Sequence, residues 1–146
     1  MTVRPGTAQD APRAFAIWKA AVEATHGFLS EADRIEIAAM VEGMLPQAPL
    51  WIAQDEAGEA QGFMIFADGM IEALFVDPAA HGRGHGSALV AHALTLAPAV
   101  RVDANEQADN ALPFYEAKGF ERIGRSDHDD CGRPYSIVHL RYRAAP

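Results

Sequence analysis

The stretch His81-Gly82-Arg83-Gly84-His85-Gly86-Ser87 constrains this chain more than any other. An apolar run, Met70 to Val76, precedes it and ends at Asp77-Pro78; an apolar-periodic run from Ala88 to Leu94 follows. That order predicts a strand, a glycine-rich turn and a helix. Glycines at every second position leave backbone N–H groups at a helix N-terminus with no Cβ in the way. Such a terminus carries about half a positive elementary charge and attracts phosphate. The competing reading is an ordinary turn.

Three phosphate-binding patterns can be compared with the loop. A P-loop requires Gly-Lys-Ser/Thr at the helix start. Here the helix opens Gly86-Ser87-Ala88, without a lysine. The dinucleotide fingerprint requires G-x-G-x-x-G, and Gly82, Gly84 and Gly86 are spaced G-x-G-x-G. The third pattern fits. Val76-Asp77-Pro78 followed by His81-Gly82-Arg83-Gly84-His85-Gly86 resembles the acetyl-CoA loop of the GCN5-related N-acetyltransferases, which follows a strand ending Val-x-Pro. Downstream, Asn105, Ala111 and Phe114-Tyr115-Glu116-Ala117-Lys118-Gly119-Phe120 resemble that family's Asn…Ala…Phe-Tyr-Glu-x-x-Gly-Phe segment. Both blocks stand in the family's order and separation, and they cover roughly residues 70 to 125. His81 departs from the pattern, standing where the family carries Arg or Gln. That weakens a side-chain contact to phosphate there and leaves the backbone contacts untouched.

The resemblance implies an α/β fold with a mixed α+β sheet of about seven strands, a central parallel pair that splays apart, and four helices. The coarse pattern is compatible with it. Strands are expected at 2–4, 50–53, 61–66, 70–76, 100–104, 120–125 and 136–142, with 50–77 forming an antiparallel meander closed by Asp68-Gly69. A first helix opens at Thr7 or Gln9-Asp10 and buries Ala14, Ile17, Trp18, Ala21 and Val22. Ser30, with Asp33 three residues on, caps a second helix that carries Ile35, Ile37, Met40, Val41 and Met44. A helix from Asp109 to Lys118 stops at Gly119, and Pro113 requires that it begin near Asn110.

At 146 residues the chain makes a single domain, 1–146. A net charge of −8 argues against nucleic acid and anionic membrane as main partners. One cysteine, Cys131, excludes an internal disulfide. No apolar run is long enough to span a bilayer, and Met1 to Pro5 has no signal-peptide layout, so a cytoplasmic location is expected.

The activity implied by the resemblance is N-acetylation: acetyl moves from acetyl-CoA to a primary amine by direct attack. The acceptor is a small molecule or a peptide, and a homodimer stays open. The family pairs the pantetheine arm with a strand, here at Leu74, Phe75 and Val76, and seats the pyrophosphate on a loop, here Gly82, Arg83, Gly84, His85, Gly86 and Ser87. Asn105 bonds the donor's amides, orients the next helix, or simply caps a turn. A tyrosine, ordinarily with a pKa of about 10, is protonated at neutral pH, so Tyr115 can donate to a leaving thiolate; its alternative is a core aromatic beside Phe114. Glu72 is the candidate base, and otherwise a solvent-side strand residue. His26 is a second candidate in the loop over the acceptor side, and otherwise a surface histidine. The acidic run Asp127 to Asp130, which includes His128, attracts a cation or is merely solvated. His81, His85 and His92 lack the carboxylate or cysteine that a metal site would add. Cys131 has no evident activating base. Two rival readings keep the fold without the chemistry: an acyl-CoA sensor and an interaction scaffold.

Overall fold

Apolar alternation and tight turns fold the middle of the chain into the expected meander; the other strands extend its sheet at both edges, and helices pack on the two faces. In the computed structural model, which describes residues 1–25, 27–108 and 111–143, the strands are β1 (Thr2–Pro5), β2 (Leu50–Gln54), β3 (Ala60–Ala67), β4 (Met70–Val76), β5 (Ala99–Asn105), β6 (Glu121–Ser126) and β7 (Ile137–Arg143). The helices are α1 (Ala11–Thr25), α2 (Glu31–Met44), α3 (His85–Leu96) and α4 (Ala111–Ala117), with short 3-10 turns at Ala8–Asp10, Leu45–Gln47 and Pro78–Ala80. The sheet order is β1-β2-β3-β4-β5-β7-β6. Among the described residues, only β4 and β5 pair in parallel.

Two cores share the sheet. Ile17, Trp18 and Val22 of α1 pack on Ile52, Phe63 and Ile65 on one face. Leu89, Val90 and Ala93 of α3 pack on Met64, Val100, Val102 and Leu140 on the other. Each fully buried side chain of this size contributes roughly 1.5–3 kcal/mol. The stripe expected on α1 is buried throughout. On α2 only Val41 is buried, while Ile35, Met40 and Met44 are exposed. That helix rests on α1, on the turn after it and on the loop before β7, with Ile37 and Ala38 packed half-buried against the α1 side of the core.

The caps show how chain ends are pinned. Ser30 accepts the Asp33 N–H at 3.1 Å. Asp33 does not return the bond. Tyr135 completes the cap instead, its hydroxyl accepting the Ser30 N–H at 3.3 Å while donating to Asp33. This ties the loop before β7 to the start of α2. Strand ends differ from expectation by a residue or so: β5 extends to Ala99 and Asn105, β6 starts at Glu121, and β7 starts at Ile137. The helix expected from Asp109 runs from Ala111, and residues 109 and 110 lie outside the described residues.

The register holds the feature that matters most. On β3, Ile65 pairs with Ala73 and the next residue, Phe66, pairs with Ile71. Glu72 is therefore the extra residue of a β-bulge, which twists β4 locally and interrupts its ladder. On its other edge β4 pairs with β5 only at Met70↔Arg101 and Ile71↔Val102. Beyond Glu72 the two strands part, and the rest of that edge of β4 meets no strand.

The helix α4 closes with a Schellman pattern. Phe120 N–H donates to Tyr115 C=O at 3.1 Å and Gly119 N–H to Glu116 C=O at 3.1 Å. Gly119 has φ +97°, and a Cβ there would stand 3.1 Å from the Tyr142 ring. Gly119→Ala should therefore lower stability by about 1–3 kcal/mol. Urea unfolding should show a lower midpoint with an unchanged slope; an unchanged midpoint would mean the cap and ring adjust at no cost.

Candidate functional site

The turn after β4 is clamped before the glycines begin. Asp77 accepts the Ala79 N–H at 3.0 Å and the Arg13 guanidinium at 2.9 Å. Arg13, on α1, also donates to Ala60 C=O at 3.0 Å. The Ala79 N–H, with Arg13 adding to it, holds the Asp77 carboxyl below its usual range. The chain then enters the loop with Gly82 at φ +81° and Gly84 at φ +90°, backbone that L side chains adopt only at a cost. Gly84 is the N-cap of α3 and supplies no side-chain cap. Among the described residues, the N–H groups of Gly82, Arg83 and Gly84 donate to no backbone carbonyl. Those of His85, Gly86 and Ser87 lie in the first turn of α3, where no helical acceptor exists. The result is a concave row of unused donors at the positive end of a helix.

This row opens into a cavity of about 790 Å³ that follows the gap between β4 and β5. Glu72, Leu74, Phe75, Val76, Gly82, Gly84, His85, Gly86, Ser87, Asn105 and Tyr115 all line it. Ala21 and Thr25 of α1, with Ile137 of β7, line its far end. The cavity therefore passes through the plane of the sheet where the strands part. Gly86 is a narrow point: a Cβ there would meet the Phe114 ring at 3.3 Å. Of the candidate residues, Arg83 is exposed and outside the lining, and His26 lies outside the described residues.

Individual side chains carry distinct signatures. His85 is 3% exposed, and neither ring nitrogen has a partner among the described residues. A buried imidazole without a partner is costly, and this one borders the cavity. Tyr115 is buried, its ring edge-on to Phe114 and Phe120. Burial pushes its phenol well above the ordinary range, so it stays protonated at neutral pH. Tyr115 packs in the core on one side and lines the cavity on the other. Asn105 accepts the Gln107 N–H at 3.1 Å and so caps the turn after β5, while still bordering the cavity.

Other candidates are committed elsewhere. Asp129 accepts N–H groups of Cys131 and Arg133 and shapes its own loop. Asp127 pairs with Arg125. Cys131 is exposed in that loop and away from the cavity lining. The ring of His92 lies 4.0 Å from that of Trp51. One arrangement escaped sequence reasoning. Asp103 on β5 bonds His139 Nδ1 on β7 at 2.7 Å, and His139 Nε2 bonds Ser126 on β6 at 2.7 Å. The signal was a polar residue alternating with apolar ones in Ile137-Val138-His139-Leu140. Which partners it meets depends on a three-strand register that no local pattern encodes.

Comparison with known proteins agrees with this geometry. Residues 46–122 match a model described as an acetyltransferase (GNAT) domain. The peptidyl-lysine N-acetyltransferase YjaB of Salmonella typhimurium is 43% identical over 97% of this chain and 98% of its own length. The solution structure of apo-form YjaB from Escherichia coli superposes with a TM-score of 0.93 at 41% identity, covering 99% of this chain and 98% of that one. An N-acetyltransferase from Thermoplasma acidophilum, solved in complex with coenzyme A, shares the fold with a TM-score of 0.77 at 15% identity, covering 99% of this chain and 100% of that one.

Coenzyme A is the ligand with which to test whether the loop takes phosphate. Asp is among the residues that best tolerate positive φ, so Gly84→Asp should fold while placing a negative charge among the open donors. Affinity for coenzyme A, read by calorimetry, should fall at least about tenfold, or roughly 1.4 kcal/mol, with an unchanged circular-dichroism spectrum. Unaltered affinity in the folded variant would put the phosphates elsewhere.

Proposed function

Because the chain belongs to the GCN5-related N-acetyltransferase family, we propose that it moves acetyl from acetyl-CoA to the side-chain amine of a lysine in a peptide or protein, by direct attack. The observation that carries this reading is the single cavity linking the glycine loop, the open edge of β4, Glu72 and Tyr115. The lysine acceptor follows the activity of the 43% identical YjaB.

The residues fit acetyl-CoA on their own chemistry. The open N–H groups of residues 82–87 suit a pyrophosphate. The unpaired edge of β4 at Leu74 to Val76 suits the amides of a pantetheine arm, which would add to the sheet as a strand does. The unpartnered ring nitrogens of His85 suit a polar group of the donor. Acetyl-CoA supplies a thioester, an acetyl group already activated toward nucleophiles.

The chain must do three things. It must bring the amine to the thioester; held geometry of this kind is worth effective molarities of about 10⁵ M or more. It must take a proton from the ammonium, whose pKa near 10.4 makes the neutral form about a thousandfold scarce at pH 7, a deficit of roughly 4–5 kcal/mol. Glu72, exposed into the cavity by its bulge, is the group we assign to that step. Finally, as the nitrogen forms its bond to the acetyl carbon and the carbon–sulfur bond breaks, the sulfur must receive a proton. Tyr115, kept protonated by burial, donates it. The nitrogen loses two protons in all; one ends as the equivalent of the thiol hydrogen and one goes to solvent. Cys131 takes no part, because it is exposed outside the cavity.

Phenylalanine at Tyr115 keeps the two ring contacts and removes only the hydroxyl. Tyr115→Phe should lower kcat by roughly 10²–10⁴, with kcat/KM falling in parallel, the mark of an interaction made in the transition state. Coenzyme A affinity should change little. Normal turnover per folded molecule with a lowered melting temperature would reduce Tyr115 to a core residue.

A further inference from the structure

We propose that Asp103 is the subsite for the acceptor's ammonium group, held in place by His139 and Ser126. This rests on the acetyltransferase reading and names how its acceptor is gripped. Asp103 lies one residue past Val102, the last β5 residue paired with β4. It therefore stands on the lip of the gap opposite Glu72, and it lines the same cavity. Its Oδ1 is engaged by His139 Nδ1 at 2.7 Å. Its Oδ2 has no partner among the described residues.

The chain from Asp103 to Ser126 crosses three strands, and its direction decides what it can do. Asp103↔His139 is a directly opposed pair in a regular stretch of the β5–β7 ladder. The β6–β7 ladder sets Gly124 opposite His139, leaving room beside the ring. With Ser126 donating to Nε2, the ring presents Nδ1–H to the carboxylate. A ring so held orients Asp103 while leaving its second oxygen open. Ser126 and His139 are absent from the cavity lining, so both are positioning residues rather than groups that touch the acceptor. The charged side chains sharing that face of the paired strands are Arg101 on β5, Arg141 on β7 and Glu121 on β6, placed by register beyond Asp103 and His139, away from the turn after β5. None lines the cavity. An alkylammonium entering past Ala21 and Ile137 would lay its methylenes on these side chains and meet the free oxygen of Asp103. Two carboxylates would then flank the nitrogen: Asp103 to bind its charge and Glu72 to take its proton.

The test uses the full chain saturated with coenzyme A and two peptides, identical except that one carries lysine and the other norleucine, the same alkyl stem without the ammonium. Calorimetry gives both affinities. The wild-type protein should prefer the lysine peptide by on the order of tenfold, the scale of one hydrogen bond to a charged group. Asp103→Asn keeps an oxygen for His139 Nδ1–H and removes the charge. It should erase most of that preference while coenzyme A affinity and melting temperature hold. His139→Leu should give a partial loss, and His139→Asn, which restores a donor near Nδ1, should recover it; a merely structural histidine would move the melting temperature and not the preference. Asp103→Ala repeats the experiment if the asparagine variant fails to fold. Preference retained in Asp103→Asn but lost in Glu72→Gln would overturn the subsite and give the ammonium to Glu72. If the wild-type protein neither prefers nor acetylates the lysine peptide, the acetyltransferase reading of the acceptor fails as well. If it acetylates that peptide while Asp103→Asn keeps full preference, only the subsite fails.

Discussion

The parting of β4 from β5 is the constraint on which the site depends. A parallel pair in the middle of a sheet would ordinarily be hydrogen-bonded along its length. Here one inserted residue, Glu72, breaks the ladder after Ile71. The consequence is a run of β4 backbone in the middle of the sheet, half-buried along the cavity, whose edge toward β5 is unpaired. A strand-like ligand arm is the partner that would satisfy its N–H and C=O groups. The same bulge turns a carboxylate into that cavity. A single backbone irregularity thus makes the donor's berth and presents the candidate base.

The site is electrically polarised along the gap. At one end, the start of α3 offers open N–H groups and a positive helix terminus to an anionic donor. At the other, Glu72 and Asp103 face where a cationic amine would arrive. The reacting atoms would meet between them, beside a phenol that burial keeps protonated. Arg13 serves this arrangement from outside the cavity. By pairing with Asp77 and bonding Ala60, it fixes the turn that aims the loop.

The donor half of this site was legible in the sequence because it is local. Gly82 and Gly84 need positive φ, α3 begins at the glycines, and Tyr115 precedes a helix-ending Gly119 within a short segment. Helix α1 was equally readable, since its stripe follows the helical period. Helix α2 was readable as a helix but not as a half-exposed one, because periodicity says nothing about which partner is present. The acceptor half was not legible. Whether Glu72 faces solvent or a cavity depends on a bulge that the run Met70 to Val76 does not announce. Asp103, His139 and Ser126 stand far apart in the chain and meet only through the β5–β7–β6 register. Arg83, read from the motif either as a phosphate contact or as a solvated arginine, has its side chain exposed outside the lining.

The proposed mechanism rests on acetyl-CoA completing the sheet in the gap and being anchored at the α3 terminus. Amide hydrogen exchange, followed by NMR residue by residue with and without acetyl-CoA, tests it most directly. New protection should concentrate in the β4 edge from Leu74 to Val76 and in the loop amides of residues 82–87, with β2 and the β6–β7 pair unaffected. Binding that leaves those amides exchanging as before, or that protects a different edge of the sheet, would contradict it.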